Sequence, residues 1–156
     1  MSKIVLITGV TSGFGEATAE RFVKEGYTLI ITGRRKERLD AFKARFPEAN
    51  ILSLCFDVSD KKAVFEAIDT LPSAYKNIDI LVNNAGLALG LGRAPEADLD
   101  DWETMIDTNI KGLLYVTKAV LPIMVERKNG YIFNLGSIAG NCRMREEMSM
   151  ERPKPL

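Results

Sequence analysis

The residues best suited to chemistry stand near the start of the chain, in the run Thr8-Gly9-Val10-Thr11-Ser12-Gly13-Phe14-Gly15. The run follows the apolar segment Ile4-Val5-Leu6-Ile7 and precedes a helical pattern. Glycines let a backbone turn sharply and come close to a pyrophosphate, and the N-terminus of the next helix offers free N–H groups and partial positive charge to an anion. Thr11 and Ser12 add hydroxyl donors. A glycine cluster alone also suits an ordinary, well-packed β-to-α turn. The strand before and the helix after turn the reading toward dinucleotide binding.

A second pair of residues bears on which dinucleotide. Folds that select NAD usually place an acidic residue at the end of the second strand, about 20 residues past the glycines, to bind the ribose 2′-hydroxyl. This chain has Thr32-Gly33-Arg34-Arg35 there, with no carboxylate before Glu37. Two guanidinium groups attract a 2′-phosphate and leave a bare ribose without its acceptor, which favours NADP. The alternative is a pair of solvated arginines opening a helix that continues Lys36-Glu37-Arg38.

Composition narrows the remaining classes. The 156 residues carry 21 Lys+Arg against 21 Asp+Glu, no histidine, two cysteines and 46% hydrophobic residues, as expected of one globular domain. Without histidine, Ser-His-Asp and Cys-His catalysis, His-ligated metals and histidine pH switches are excluded, and no metal site is expected. Zero formal charge gives no drive toward nucleic acid or an anionic membrane, so neither is expected as a partner. Cys55 lies in an apolar run and Cys142 in a polar tail, a pattern of two unpaired thiols. No segment has the length of a signal-peptide core or a membrane span, which points to a cytoplasmic protein. The longest apolar stretch, residues 119–125, is broken by Pro122 and reads as a buried helix end.

Short β-rich runs and longer helical patterns alternate along the chain. Strands are expected at residues 4–7, 28–31, 51–56, 78–82 and 131–135, with a long helical region from about 99 to 127 before the fifth. Ala19, Phe22 and Val23 precede Gly26 at helical spacing, as Leu39, Phe42 and Phe46 precede Pro47. Near-continuous apolar strands imply a parallel sheet covered on both faces, and right-handed crossovers then give a doubly wound α/β fold.

The spacing Thr-Gly-x-x-x-Gly-x-Gly resembles the cofactor loop of the short-chain dehydrogenases/reductases, and further landmarks of that family recur in order. Asp57-Val58 follows the third strand, Asn83-Asn84-Ala85-Gly86 the fourth, Asn109 lies in the long helix, and Gly136-Ser137 ends the fifth strand. Singly, Asp57 reads as a strand-end cap, Asn83 and Asn84 as a turn, Asn109 as a solvated helix residue and Ser137 as a loop hydroxyl. Together and in order, they carry the resemblance over residues 3–141. Within the family, segments 80–90 and 101–112 most resemble the NADP-dependent 3-hydroxy acid (serine-type) dehydrogenases. The resemblance implies a Rossmann-like domain over residues 1–141, cofactor contacts from Gly9 to Gly15 and at Arg34, Arg35, Asp57, Val58 and Asn84, and hydride transfer to or from a small hydroxy acid. It also implies that Asp57 meets the adenine ring, that Ser137 orients the substrate oxygen and binds substrate, and that Asn109 helps hold a proton-relay water. Relatives are usually homo-oligomers through the long helix and the helix that would follow. Residues 87–93 are the candidate pocket loop; Arg93 there is either a carboxylate partner or a solvated loop arginine.

One part of the pattern is missing. The family's general acid/base is a tyrosine in Tyr-x-x-x-Lys, whose lysine lowers the pKa of a phenol that otherwise sits near ~10. No such motif occurs in the sequence; Tyr115 and Lys118 are one residue too close and lie in the wrong helix. From Cys142 to Leu156 the chain loses all helical or strand periodicity and reads as an aberrant, disordered tail. Asn141 to Leu156 can be encoded so that one G inserted after the second base of the Cys142 codon yields Asn-Trp-Pro-Tyr-Glu-Gly-Gly-Asn-Val-Tyr-Gly-Ala-Thr-Lys-Ala-Phe. That frame places a tyrosine at position 150 and a lysine at Lys154. A single-base loss is therefore expected after Asn141, leaving a fold incomplete after the fifth strand. The rival readings are a natural divergent C-terminus and, for function, an inactive nucleotide-binding fragment.

Overall fold

The computed structural model describes residues 2–90 and 94–137. Five parallel strands form one sheet: β1 (Ile4–Ile7), β2 (Thr28–Gly33), β3 (Ile51–Cys55), β4 (Ile78–Asn83) and β5 (Tyr131–Asn134), in spatial order β3-β2-β1-β4-β5. The helices between them are α1 (Gly13–Lys24), α2 (Lys36–Ala44), α3 (Lys61–Asp69), α4 (Leu99–Ile106) and α5 (Leu113–Arg127). The doubly wound α/β arrangement is therefore present. From β1 the chain winds outward to β2 and β3, then returns to place β4 on the other side of β1. Such a reversal of strand order opens a crevice beyond the C-terminal ends of the strands, where ligands bind in sheets of this kind.

Alternation along the strands divides the core. Ile4 and Leu6 face a cluster with Ile30, Val64, Leu81 and Val116, under α3 and α5. Val5 and Ile7 face the other side, with Ala19, Leu29, Leu39 and Val82, under α1 and α2. β1, β2 and β4 are buried along their whole length. Each fully buried Leu, Ile or Val contributes about 1.5–3 kcal/mol of hydrophobic stabilisation, so the site rests on a stiff floor.

Local chemistry sets the helix boundaries. Gly26, at φ +76°, takes the left-handed conformation just past α1. Asp60 caps α3 by accepting from the Ala63 amide at 3.0 Å.

Four pattern-based expectations are corrected. α2 ends at Ala44, so Phe46 lies beyond the helix, where its ring meets Phe42 at 5.2 Å between centroids. The expected single helix over 99–127 is interrupted by a wide π-type turn, Asp107–Gly112. Gly112 permits that geometry against its neighbour, since a Cβ there would stand 2.7 Å from Val58 Cγ2. The stretch 119–125 is only half buried: Val120 and Met124 face the core while Leu121 and Val125 are exposed. On β5, Ile132 packs inward but Tyr131 and Phe133 are 60% and 55% exposed, so this strand is covered on one face among the described residues. Cys55, despite its apolar run, is exposed at the end of β3, its thiol donating to the Arg34 carbonyl at 3.6 Å. Arg93, Cys142 and the tail to Leu156, including Met150 and Lys154, lie outside the described residues.

Among the described residues no helix is long and apolar enough to cross a membrane, and no cluster of His, Cys, Asp or Glu has the makings of a metal site.

Candidate functional site

A cleft of about 370 Å³ opens at the C-terminal ends of the strands. Four segments build it: the turn after β1, the end of β2, the residues after β3 and the residues after β4, with Thr108 closing one side.

The turn after β1 is held by its neighbours. Gly9 and Val10 both donate their N–H groups to the Thr32 carbonyl, at 2.9 and 3.0 Å. Gly9 has φ +75°, and a Cβ there would stand 2.9 Å from Ala85 Cα. Asn84 Nδ2 donates to the carbonyls of Thr8 and Gly9 at 2.8 and 3.1 Å, and a Cβ on Gly15 would overlap that same amide nitrogen. Thr8 Oγ1, itself buried, accepts from the amides of Asn84 and Ala85 at 3.0 and 2.9 Å. The glycines thus serve close packing between β1 and β4 as much as approach to a ligand. Ser12, the residue before α1, makes no side-chain cap, which leaves first-turn N–H groups of α1 without that partner.

The end of β2 brings the arginines to the rim. Arg35 Nη2 donates to Thr11 Oγ1 at 2.8 Å, and Arg34 Nη1 lies 3.5 Å from Asp57 Oδ2. Burial pushes the Asp57 carboxyl up, but hydrogen bonds from the Ser59 amide and hydroxyl, at 2.9 and 2.8 Å, together with the Arg34 charge, outweigh it and hold the pKa below its ordinary value. Asp57 is therefore a carboxylate at neutral pH.

After β4 the chain is gripped by the π-type turn. Asn109 accepts from the Leu87 amide and donates to the Leu87 carbonyl, both at 2.8 Å, so one side-chain amide holds both backbone polar groups of one residue. Met105, one turn earlier, receives the Leu89 amide at its sulfur at 3.4 Å. π-type turns concentrate at functional sites, and here the widened turn presents Asn109 to the loop.

Gly9, Thr11, Ser12, Phe14, Arg34, Arg35, Asp57, Val58 and Asn84 all border this one cleft. Val10 does not: it is 1% exposed in the core with its amide committed to Thr32. Gly13, at φ +59°, faces open space, and Gly15 is spent against Asn84. Asn109 touches the cleft through Leu87, and Ser137 is exposed just past β5. Sequence reasoning missed Thr32, whose buried Oγ1 has no hydrogen-bond partner and whose residue borders the cleft. A threonine closing the apolar run Leu29-Ile30-Ile31 at the ligand end of a parallel strand was the available signal. It also missed Phe56 and Thr108, for which spacing gives no cue.

A tightly approached glycine turn, uncapped helix amides, an orphaned buried hydroxyl and two rim arginines form a donor-rich, cationic cleft shaped for a phosphorylated nucleotide. These features define a dinucleotide-binding fold of the α/β class. A profile of the short chain dehydrogenase family matches residues 3–149, and the chain belongs to that family. It is 56% identical over 138 residues to the NADP-dependent 3-hydroxy acid dehydrogenase YdfG of Salmonella typhi, covering 88% of this chain and 55% of that protein. It is 55% identical over 141 residues to the serine 3-dehydrogenase of Rhizobium radiobacter, covering 90% of this chain and 56% of that one. Among solved structures, serine dehydrogenase from Escherichia coli superposes with a TM-score of 0.87 at 52% identity, covering 90% of this chain and 65% of the other. The closed form of serine dehydrogenase complexed with NADP+ gives 0.88 at 52% identity, covering 90% and 56%. The chain spans about half the length of the curated relatives it matches.

Proposed function

We propose that this chain is the cofactor-binding part of a cytoplasmic NADP-dependent dehydrogenase that moves a hydride between the nicotinamide and the hydroxyl-bearing carbon of a small 3-hydroxy acid such as serine. The observation that carries the reading is the rim of the cleft, where Arg34 and Arg35 stand in place of the carboxylate an NAD-selective fold would use. The names of the relatives above support the cofactor and the substrate class.

The nicotinamide supplies or takes up the hydride; the protein binds, orients and handles the proton. The turn from Gly9 to Phe14 and the N-terminus of α1 receive the pyrophosphate, Arg34 and Arg35 face the adenosine end, and Asp57 and Val58 border the adenine side. Asn109 fixes the 87–90 loop, and Ser137 orients the substrate oxygen by hydrogen bonding. A positioned general acid/base contributes ~10²–10⁴ in rate in reactions of this kind, and the sequence contains no Tyr-x-x-x-Lys to supply it.

That absence favours a second reading for the chain as written, a nucleotide-binding fragment without turnover. The two are separated by mixing the purified protein with NADP and L-serine or 3-hydroxypropionate and following NADPH absorbance. Turnover supports a working enzyme, binding without turnover supports the fragment, and failure to bind NADP overturns both.

A further inference from the structure

Two guanidinium groups, Arg34 and Arg35, border the cleft, and a third, Arg38, reaches the back of its Thr11 wall; their charges are not equally free. Arg34 faces the Asp57 carboxylate at 3.5 Å, so it already has an anionic partner. Arg35 and Arg38 belong to none of the ion pairs among the described residues. Both instead converge on Thr11: Arg35 Nη2 reaches Oγ1 at 2.8 Å and the carbonyl at 3.4 Å, and Arg38 Nη1 reaches the same carbonyl at 3.1 Å. Arg38 lies one helical turn beyond Arg35, on the same face at the start of α2. Gly33 makes the convergence possible, because a Cβ there would stand 2.6 Å from Thr11 Cγ2 and push the loop off β2.

Two full positive charges therefore share a neutral acceptor. Both groups are exposed, so solvent screens their repulsion in part; a bound anion offsets it further, and guanidinium groups suit a phosphate that can take paired N–H donors. We infer that Arg38 is a third specificity-determining residue of the cleft, and that the Arg35–Arg38 pair, rather than Arg34, supplies most of the charge that meets the 2′-phosphate. This rests on the reading of the cleft as an NADP site and divides the labour within it: Arg34 is held by Asp57, while Arg35 and Arg38 are held ready over Thr11.

The test is calorimetric titration of the 156-residue chain with 2′,5′-ADP, which carries the phosphate in question, and with 5′-AMP, which lacks it. Arg38→Gln is expected to weaken 2′,5′-ADP about tenfold while 5′-AMP stays within about twofold, the loss of one charge-assisted contact. Arg38→Met, a neutral replacement of similar helix propensity, is expected to give the same fall in the affinity ratio and serves if the glutamine variant does not fold. Arg34→Gln should lower the ratio less than Arg38→Gln does. An unchanged ratio in folded Arg38 variants, or an equal loss on both probes, overturns the assignment of Arg38. If Arg35→Gln and Arg34→Gln also leave the ratio unchanged, the NADP reading itself falls; if Arg35→Gln collapses it while the Arg38 variants do not, only the role of Arg38 falls.

Discussion

Asn84 occupies the space that a side chain at residue 15 would need: a Cβ on Gly15 would overlap Asn84 Nδ2, the atom that donates to the Thr8 and Gly9 carbonyls. One amide thus joins the turn after β1 to the end of β4, across the point where strand order reverses. The cleft keeps its shape because that junction has no spare volume.

Gly15→Ala is accordingly expected to destabilise the fold by about 1–3 kcal/mol, the usual cost of overpacking, and to weaken nucleotide binding. Urea denaturation midpoints measure the first effect. Asn84→Ala in the Gly15→Ala background should recover the part of the loss that comes from the Asn84 overlap, while the overlap with the Gly9 carbonyl oxygen remains, and a double-mutant cycle reads the coupling directly.

The pairing of Asn109 with Leu87 predicts a local effect. Asn109→Ala removes two hydrogen bonds, each worth about 0.5–1.5 kcal/mol, from an exposed segment. Hydrogen exchange at the Leu87 amide should accelerate strongly while amides in β1 and β4 keep their protection. Uniform acceleration across the sheet would show that Asn109 supports the whole fold rather than the loop.

Asp57 gives the chain a pH-dependent element. Its carboxyl titrates below the ordinary 3.8, so the folded state favours the ionised form. The stability this lends is fully present above 3.8 and is lost as pH falls through the lower folded-state value. Asp57→Asn should therefore be less stable than the parent at neutral pH, and the gap should close in strong acid. Thermal melts of both proteins across that range check the sign.

How much of this was legible beforehand divides by distance along the chain. The turn from Thr8 to Gly15 declares itself because glycine spacing, strand and helix are all local, and Arg34 and Arg35 are readable for the same reason. Contacts that close over long separations were invisible: Arg38 to Thr11, Asn109 to Leu87, and Asn84 to the Thr8 and Gly9 carbonyls. The π-type turn was missed because its apolar spacing continues that of a regular helix and only the backbone widens. Val10 lies inside the phosphate-binding run, yet its side chain points into the core, an orientation the glycine spacing does not announce. Phe46 continued the spacing of Leu39 and Phe42, yet the helix ended two residues before it.

The tail makes a prediction about nucleic acid rather than protein. We propose that residues from Cys142 onward are read in a shifted frame, since Met144, Met148 and Met150, each with a single possible codon, remain compatible with a second frame containing Tyr-Gly-Ala-Thr-Lys. Sequencing the gene through the Asn141 codon and downstream should reveal a family-like continuation in that other frame. Its absence would leave a natural divergent C-terminus as the explanation.

Whether the cleft selects NADP through its cationic rim is read by titrating the 156-residue chain with NADP and with NAD in the same buffer. NADP is expected to bind at least about tenfold more tightly, a difference of about 1.4 kcal/mol, and the preference should shrink as salt is raised. Equal affinity for the two dinucleotides, or a preference for NAD, would contradict such selection.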